Sequence, residues 1–184
     1  MGKELEVKVL NINKKELEKK LIDIGATLIK KEHQINTIFD TKEGLSEKLG
    51  NGYLRIRESK NLLNDETEYI FTLKKNLNNS GIRENKEIET KIEDKKSLQI
   101  ILEELNLYKK HEGSKERISY IYENIRFDID TWDKDTYPYP YLEIEVSKKE
   151  DIERAIDLLE ISKEDVTSKS IKELREDIGM KEYK

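Results

Sequence analysis

The amino-acid sequence predicts an α+β protein built on an eight-stranded antiparallel closed β-barrel, a tunnel with covering helices. Three observations predict it. About eight short segments alternate apolar and charged residues at the two-residue period of a strand. Amphipathic helical stretches interrupt that series. The polar strand faces carry charges of both signs in quantity, which fits a sheet closed around a wet interior with its apolar outside under helices.

Taken in chain order, the first segment, Glu4 to Leu10, places Glu4, Glu6 and Lys8 on one strand face and Leu5, Val7 and Val9 on the other. Asn13 then stands where a helix N-cap belongs, Leu17, Leu21 and Ile24 recur at helical spacing, and Gly25 is placed to end the helix. Further strands are expected at Gln34–Phe39, Tyr53–Arg57, Tyr69–Lys74, Arg83–Ile92, Arg117–Tyr122, Ile125–Asp130 and Tyr141–Ser147, with a turn at Asn78-Asn79-Ser80-Gly81. Asp94 can cap a helix carrying Leu98, Ile101, Leu102 and Leu105 on one side. Ser147 to Glu150 has capping-box spacing before Ile152, Ile156 and Leu159, and Ser170 to Glu173 has it again.

The chain of 184 residues contains no linker-like segment, so residues 1–184 are expected to form one domain. Its charged fraction is 41% and its hydrophobic fraction 35%, but the apolar residues are grouped periodically, as in a folding chain. A net charge of −5 excludes a broad positive field, and with it general binding to nucleic acid or anionic membranes. No apolar run is long enough to cross a bilayer, and the start MGKELEVKVL lacks a secretory layout. Zero cysteines exclude disulfides and thiolate chemistry and agree with a reducing cytoplasm, which is the expected location.

Acidic pairs two residues apart occur at Glu4/Glu6, Glu87/Glu89, Asp128/Asp130 and Glu143/Glu145, each pointing to one side of an extended chain. Composition alone supplies about nine such pairs, so a single pair reads as a solvated strand face. Their joint pattern carries more. Arg55/Arg57 and Lys115/Arg117 form basic pairs of the same spacing, joined by Lys8, Lys74 and Arg126 on expected strands. If these faces line one cavity, the carboxylates can hold hard cations through oxygen while the guanidinium and ammonium groups hold phosphate oxygens. His33 and His111 are too few and too separated to form a histidine-rich metal site. Trp132 reads equally well as a packing or a stacking residue. The glycines form no phosphate loop, so any phosphate recognition would run through side chains.

The opening Glu4-Leu5-Glu6-Val7-Lys8 resembles the E-x-E-x-K signature of the CYTH superfamily, the triphosphate tunnel metalloenzymes, which include class IV adenylyl cyclases and thiamine triphosphatases. The resemblance continues through Gln34 to Asp40, Leu54 to Arg57, Thr72 to Lys74, Glu87 to Glu89, Lys115 to Arg117, Asp130 to Trp132, Tyr141 to Glu145 and Ser168 to Ser170. It implies a tunnel in which Glu4, Glu6, Asp130, Glu143 and Glu145 bind Mg²⁺ or Mn²⁺, with Asp128 as a neighbour of the aspartate position. It implies a phosphate clamp of Lys8, Arg55, Arg57, Lys74, Lys115, Arg117, Arg126 and Lys169. Lys169 on its own reads as a solvated lysine before a capped helix; only the resemblance promotes it. Glu87 and Lys8 are the implied catalytic residues, Glu87 by positioning a basic partner or metal-bound water. The stretch Trp132 to Pro140 departs from the shorter loop of several family members and loosens the alignment at Asp130.

The expected activity is metal-dependent hydrolysis of tripolyphosphate, thiamine triphosphate or a nucleoside triphosphate, because hydrolysis requires only the triphosphate site that the pattern supplies. Two alternatives use the same tunnel: cyclisation of ATP to cyclic AMP and pyrophosphate, and non-catalytic binding of polyphosphate or nucleotide. The partner in each case is a triphosphate-containing small molecule. A homodimer enters through the resemblance alone.

Overall fold

Eight antiparallel strands follow the chain as β1 (Lys3–Val9), β2 (Thr27–Asp40), β3 (Tyr53–Asn61), β4 (Thr67–Asn78), β5 (Arg83–Ile92), β6 (Tyr108–Tyr122), β7 (Ile125–Trp132) and β8 (Tyr141–Val146). The computed structural model describes residues 3–48, 52–78 and 82–181, so residues 79–81 of the expected Asn78–Gly81 turn lie outside the described residues. The strands hydrogen-bond in the order β5-β4-β3-β2-β6-β7-β8-β1, and β1 pairs with β5 to close the barrel. The closing seam is short, with Lys3 opposite Lys86 and Glu6 opposite Arg83 at its ends. Beyond it, the same edge of β1 is taken up by a two-residue strand β9 (Val166–Thr167).

Several strands run longer than expected, β2 and β6 most of all. β2 begins at Thr27 and β6 at Tyr108, and the two form a long ladder from Thr27 opposite Ile121 to Asp40 opposite Tyr108, with irregularities at Leu28/Lys30 and Ile38/Phe39. Their early halves, rich in Lys, Glu and His, show no one-sided apolar alternation. Pairing between distant segments holds them as strands.

Four helices of seven residues or more accompany the barrel, together with a four-residue helical turn, α2 (Leu45–Lys48). In α1 (Lys14–Asp23) the Asn13 side chain accepts from the Lys15 and Glu16 amides, and Gly25 leaves the helix at φ +85°. Asp94 caps α3 (Lys95–Glu104) by accepting from the Ser97 amide at 3.0 Å. The capping box at Ser170 and Glu173 opens α5 (Ile171–Asp177). The one expected at Ser147 does not form. Helix α4 (Glu150–Leu158) has Lys149 in helical conformation at its N-cap with no side-chain cap bond, and its start carries Glu150, Asp151 and Glu153, where the helix dipole favours negative charge.

The apolar strand faces lie on the outside and are covered, as expected. Val7, Val9, Phe127, Ile129, Leu142, Ile144 and Val146 pack with Leu17 and Leu21 of α1 and Ile152, Ala155 and Ile156 of α4. A smaller cluster joins Phe39, Leu54 and Ile56 to Leu102 of α3, with Phe71 and Leu73 against it. Each such side chain taken out of water contributes roughly 1.5–3 kcal/mol, so these two layers fix the strand register and force the alternate, charged positions inward. Among the described residues no helix is long and apolar enough to cross a membrane.

Candidate active site

The inward positions are the ones that alternate with those apolar faces. On β1, Glu6 and Lys8 are buried in the tunnel, with Lys8 Nζ 3.1 Å from Glu143 and 3.9 Å from Glu6. The Glu4 side chain lies outside the described residues. On β4, Lys74 lies 2.6 Å from Glu87 on the neighbouring strand and 3.5 Å from Glu6 across the seam. Burial opposes its charge, but Tyr53, Glu6 and Glu87 together raise the Lys74 pKa above the ordinary lysine value. Glu87 is correspondingly held low: Lys74 and Arg55 outweigh the effect of burial. It is therefore an ionised carboxylate whose shortest contact is a lysine, as a positioning residue requires.

The densest network lies on β6, β7 and β8, where the register places Arg117 opposite Asp130, and Asp128 opposite Glu143. Arg117 donates from Nε and Nη2 to the two oxygens of Asp130, each at 2.7 Å; its Nη2 also reaches Glu143 at 2.7 Å, and Nη1 lies 2.7 Å from Asp128. Burial works against this guanidinium, and Asp128 and Asp130 overcome it, raising its pKa well above the usual arginine range. Glu143, opposed by burial and favoured by Lys8 and Arg117, is held well below the carboxylate range. Asp130 is fully buried and held low by Arg117 and Lys115 against burial. Its Oδ2 also accepts from Lys115 at 2.7 Å and from the Tyr141 hydroxyl at 3.0 Å, and Tyr141 in turn accepts from Trp132 Nε1 at 2.9 Å. Arg126 closes on Asp128 at 3.0 Å.

Two cations have lowered pKa values. Burial, and then the neighbouring Arg117, push the Lys115 ammonium down to about 7 in spite of Asp130. Burial, then Arg55 and Arg117, push Arg57 down to about 10. Arg57 donates to Asn36 Oδ1 at 3.2 Å, and among the described residues no carboxylate lies within 4.0 Å of it. Arg55 on the same face meets Thr72 at 3.3 Å and Glu89 at 3.7 Å. Electrostatically, this part of the tunnel favours a bound anion, which would raise the Lys115 value and offset the repulsion among Arg55, Arg57 and Arg117.

The carboxylates supply oxygen donors only, the kind a hard divalent cation takes. Glu6 stands directly opposite Glu145 across the β1–β8 ladder, with Glu143 next along β8. Glu145 is raised above the usual carboxylate range, chiefly by burial, with Arg126 opposing and Asp128 adding to it. No cation lies within 4.0 Å of it among the described residues. Also among the described residues, no three Asp, Glu or His side chains already converge as a ligand group. The donor set thus fits Mg²⁺ or Mn²⁺ in chemistry, with Glu145 the uncommitted member and Glu6, Asp130 and Glu143 engaged by lysine or arginine.

The structure therefore gathers Glu6, Lys8, Arg55, Arg57, Lys74, Glu87, Lys115, Arg117, Arg126, Asp128, Asp130, Glu143 and Glu145 on the tunnel wall. Lys169 stands apart: it is exposed, and its Nζ pairs with Asp177 at 2.7 Å on α5. Inward residues without a role assigned from the sequence include Arg83 and Asn85 on β5 and Glu32 and Gln34 on β2. Arg83 and Asn85 share the parity of Glu87 and Glu89, so strand alternation held the signal. Glu32 and Gln34 lie in or beside the part of β2 whose strand character is not visible locally.

The CYTH domain model matches residues 2–171. A comparison against curated protein sequences finds no match. Among solved structures, the PH1012 protein from Pyrococcus horikoshii OT3 is 23% identical with a TM-score of 0.76, covering 93% of this chain and 98% of its own. A proposed adenylate cyclase from Vibrio parahaemolyticus is 15% identical with a TM-score of 0.75, covering 95% and 98%. HpAC1 from Hippeastrum, a proposed adenylyl cyclase with a dominant triphosphatase activity, is 14% identical with a TM-score of 0.61, covering 100% and 91%. At these identities the structural likeness shows the fold. The family match, spanning nearly the whole chain and every strand of the barrel, shows that the chain belongs to the CYTH family.

Proposed function

We propose that this protein is a metal-dependent triphosphatase that hydrolyses an inorganic or organic triphosphate inside the tunnel. Members of the family are typically enzymes of the triphosphatase or adenylyl cyclase type and are in general metal-dependent. The observation that carries the reading is Arg57, a half-buried guanidinium beside Arg55 and Arg117 with no carboxylate within 4.0 Å among the described residues, which a polyphosphate would neutralise.

In this reading Arg55, Arg57, Lys115 and Arg117 hold phosphate oxygens from two walls, and Lys8, Lys74 and Arg126 extend the clamp toward the carboxylates. Lys169 belongs to the clamp only if the β9–α5 segment turns it away from Asp177. A divalent metal held by Glu4, Glu6, Asp130, Glu143 and Glu145 would supply Lewis-acid polarisation of phosphate oxygens. Glu87 keeps Lys74 charged and aimed into the tunnel, and Lys8, between Glu6 and Glu143, carries charge to the transferring phosphoryl group. Fixed cations of this kind stabilise the charge that develops on the oxygens as water attacks the terminal phosphorus.

The test offers the purified full chain tripolyphosphate, thiamine triphosphate and ATP with Mg²⁺ or Mn²⁺, and measures orthophosphate, pyrophosphate and cyclic AMP separately. Orthophosphate release abolished by a chelator is the expected result. Cyclic AMP with pyrophosphate would replace the hydrolase reading by the cyclase one. Tight metal-dependent binding without turnover would reduce the protein to a binding module.

A further inference from the structure

The β1–β5 seam carries a second kind of chemistry. Asn85 points into the tunnel between Arg83 and Glu87 on β5; it lies opposite Asn76 on β4 and Glu4 on β1 in register. It is 0% exposed, and among the described residues neither its amide nitrogen nor its amide oxygen has a hydrogen-bond partner. Next to it, buried Arg83 has an Nε without a hydrogen bond among the described residues, where its carboxylate contact is Glu6 at 3.8 Å. A buried carboxamide with both ends unmet is rare in folded proteins and disfavours the empty state, so such a group points to a ligand.

The chemistry of that ligand follows from the amide itself. At neutral pH a triphosphate presents acceptor oxygens only, which suit Arg83 Nε and the Asn85 nitrogen but not the Asn85 oxygen. An organic group that satisfies all three offers a donor as well as acceptors, as the hydroxyls of a sugar or the amino-substituted ring of a base do, whereas tripolyphosphate would meet the Asn85 oxygen only through a bound cation. We infer that Arg83 and Asn85 form a subsite for the non-phosphate end of an organic triphosphate, and that the tunnel is built to prefer a nucleoside triphosphate over tripolyphosphate. This rests on the proposed triphosphate site and names the substrate class it takes.

The experiment compares wild type with Asn85→Leu and Asn85→Ser, using ATP and tripolyphosphate with Mg²⁺. The ratio of kcat/KM for ATP to that for tripolyphosphate should fall about tenfold in Asn85→Leu, and less in Asn85→Ser, which keeps a hydroxyl. Because the leucine removes two unmet polar atoms, the thermal midpoint of the ligand-free protein should hold or rise, a result that a structural role for Asn85 would reverse. An unchanged substrate ratio, or a lowered midpoint, overturns the inference. Calorimetric affinities for a non-hydrolysable ATP analogue and for tripolyphosphate provide the same ratio without turnover. A protein that binds but hydrolyses neither would therefore sink the triphosphatase reading while still deciding this one.

Discussion

On β6, β7 and β8 the carboxylates Asp128, Asp130 and Glu143 all touch Arg117, whereas across the tunnel, among the described residues, Arg57 donates to Asn36 with no carboxylate within 4.0 Å, and the Nε atoms of Arg55 and Arg83 and the whole amide of Asn85 are unbonded. The first wall neutralises itself as the barrel folds. Its ion pairs are short, multidentate and dry, and the Trp132–Tyr141–Asp130 chain fixes the aspartate they share. The second wall keeps hydrogen-bonding capacity in reserve, apart from the close Lys74–Glu87 pair. Charges that complete one another serve the fold, and charges left incomplete can serve a ligand; in the proposed clamp β3 to β5 contribute the less engaged donors, and β6 to β8 contribute cations that the fold already holds rigid.

The sharpest way to break this contrast is to remove the hub of the first wall. Asp130→Ala leaves Lys115 and Arg117 buried without their shared carboxylate, and loss of one partner from such a network costs about 3–5 kcal/mol. Urea unfolding should show that loss, while Arg57→Ala on the opposite wall should stay within about 1 kcal/mol of wild type because it breaks no ion pair. Equal losses at the two sites would erase the distinction between a wall built for folding and one kept for binding.

Arg57→Ala should instead show itself in affinity. A charge-assisted guanidinium bond to phosphate contributes about 1.5–3 kcal/mol, so the Kd for tripolyphosphate should rise about ten- to a hundredfold by calorimetry. Glu145→Gln sharpens the same point from the acidic side: no cation lies within 4.0 Å of Glu145 among the described residues, so folding stability should hold while the metal concentration needed for half-maximal turnover rises. A large fall in stability there would mean that Glu145 belongs to the self-neutralised set.

A smaller effect is expected where the first wall is tied to its end loop. Asp133 accepts from the backbone amides of Ser114 at 2.6 Å and Thr136 at 2.7 Å. Burial pushes its pKa up, but these amide donors prevail and hold it below the ordinary aspartate value. A depressed carboxylate contributes stability above its unfolded pKa and loses it as pH falls through the folded one. Asp133→Ala should therefore cost about 1–2 kcal/mol at neutral pH, and the gap to wild type should narrow below about pH 4. A gap that persists undiminished into acid would show that packing, not the ionised carboxylate, ties the loop.

Much of this arrangement could be read in the sequence because the signal is local. Leu5, Val7 and Val9 against Glu6 and Lys8, or Leu142 and Ile144 against Glu143 and Glu145, fix a face within a few residues, and eight such faces specify a closed sheet. The early parts of β2 and β6 were not legible, since Lys30, Lys31, Glu32 and His33 offer no apolar stripe and become a strand by pairing with β6 more than eighty positions away and, from Glu32 on, with β3 as well. The Ser147 cap failed for a related reason: the spacing fits, but β8 runs to Val146 and the chain turns through Lys148 and Lys149 before helix begins. Asn85 escaped attention because an uncharged side chain is invisible to a search for charge; its burial with both amide atoms unmet exists only in three dimensions.

Lys169 provides the finest discrimination. Its pair with Asp177 is exposed on both sides, and such pairs contribute roughly 0–1 kcal/mol, so Lys169→Ala should leave the unfolding midpoint within experimental scatter. Strand β9 binds the edge of β1 beside Lys8, with Thr167 opposite Lys8 in register, so Lys169 sits two residues from the tunnel wall without being part of it. If the triphosphate draws this segment inward, Lys169→Ala raises the KM for tripolyphosphate severalfold while Asp177→Ala, which frees the lysine, lowers it. If neither variant moves KM, the clamp consists of strand residues alone, and the family resemblance overreached at the one basic position that no strand holds.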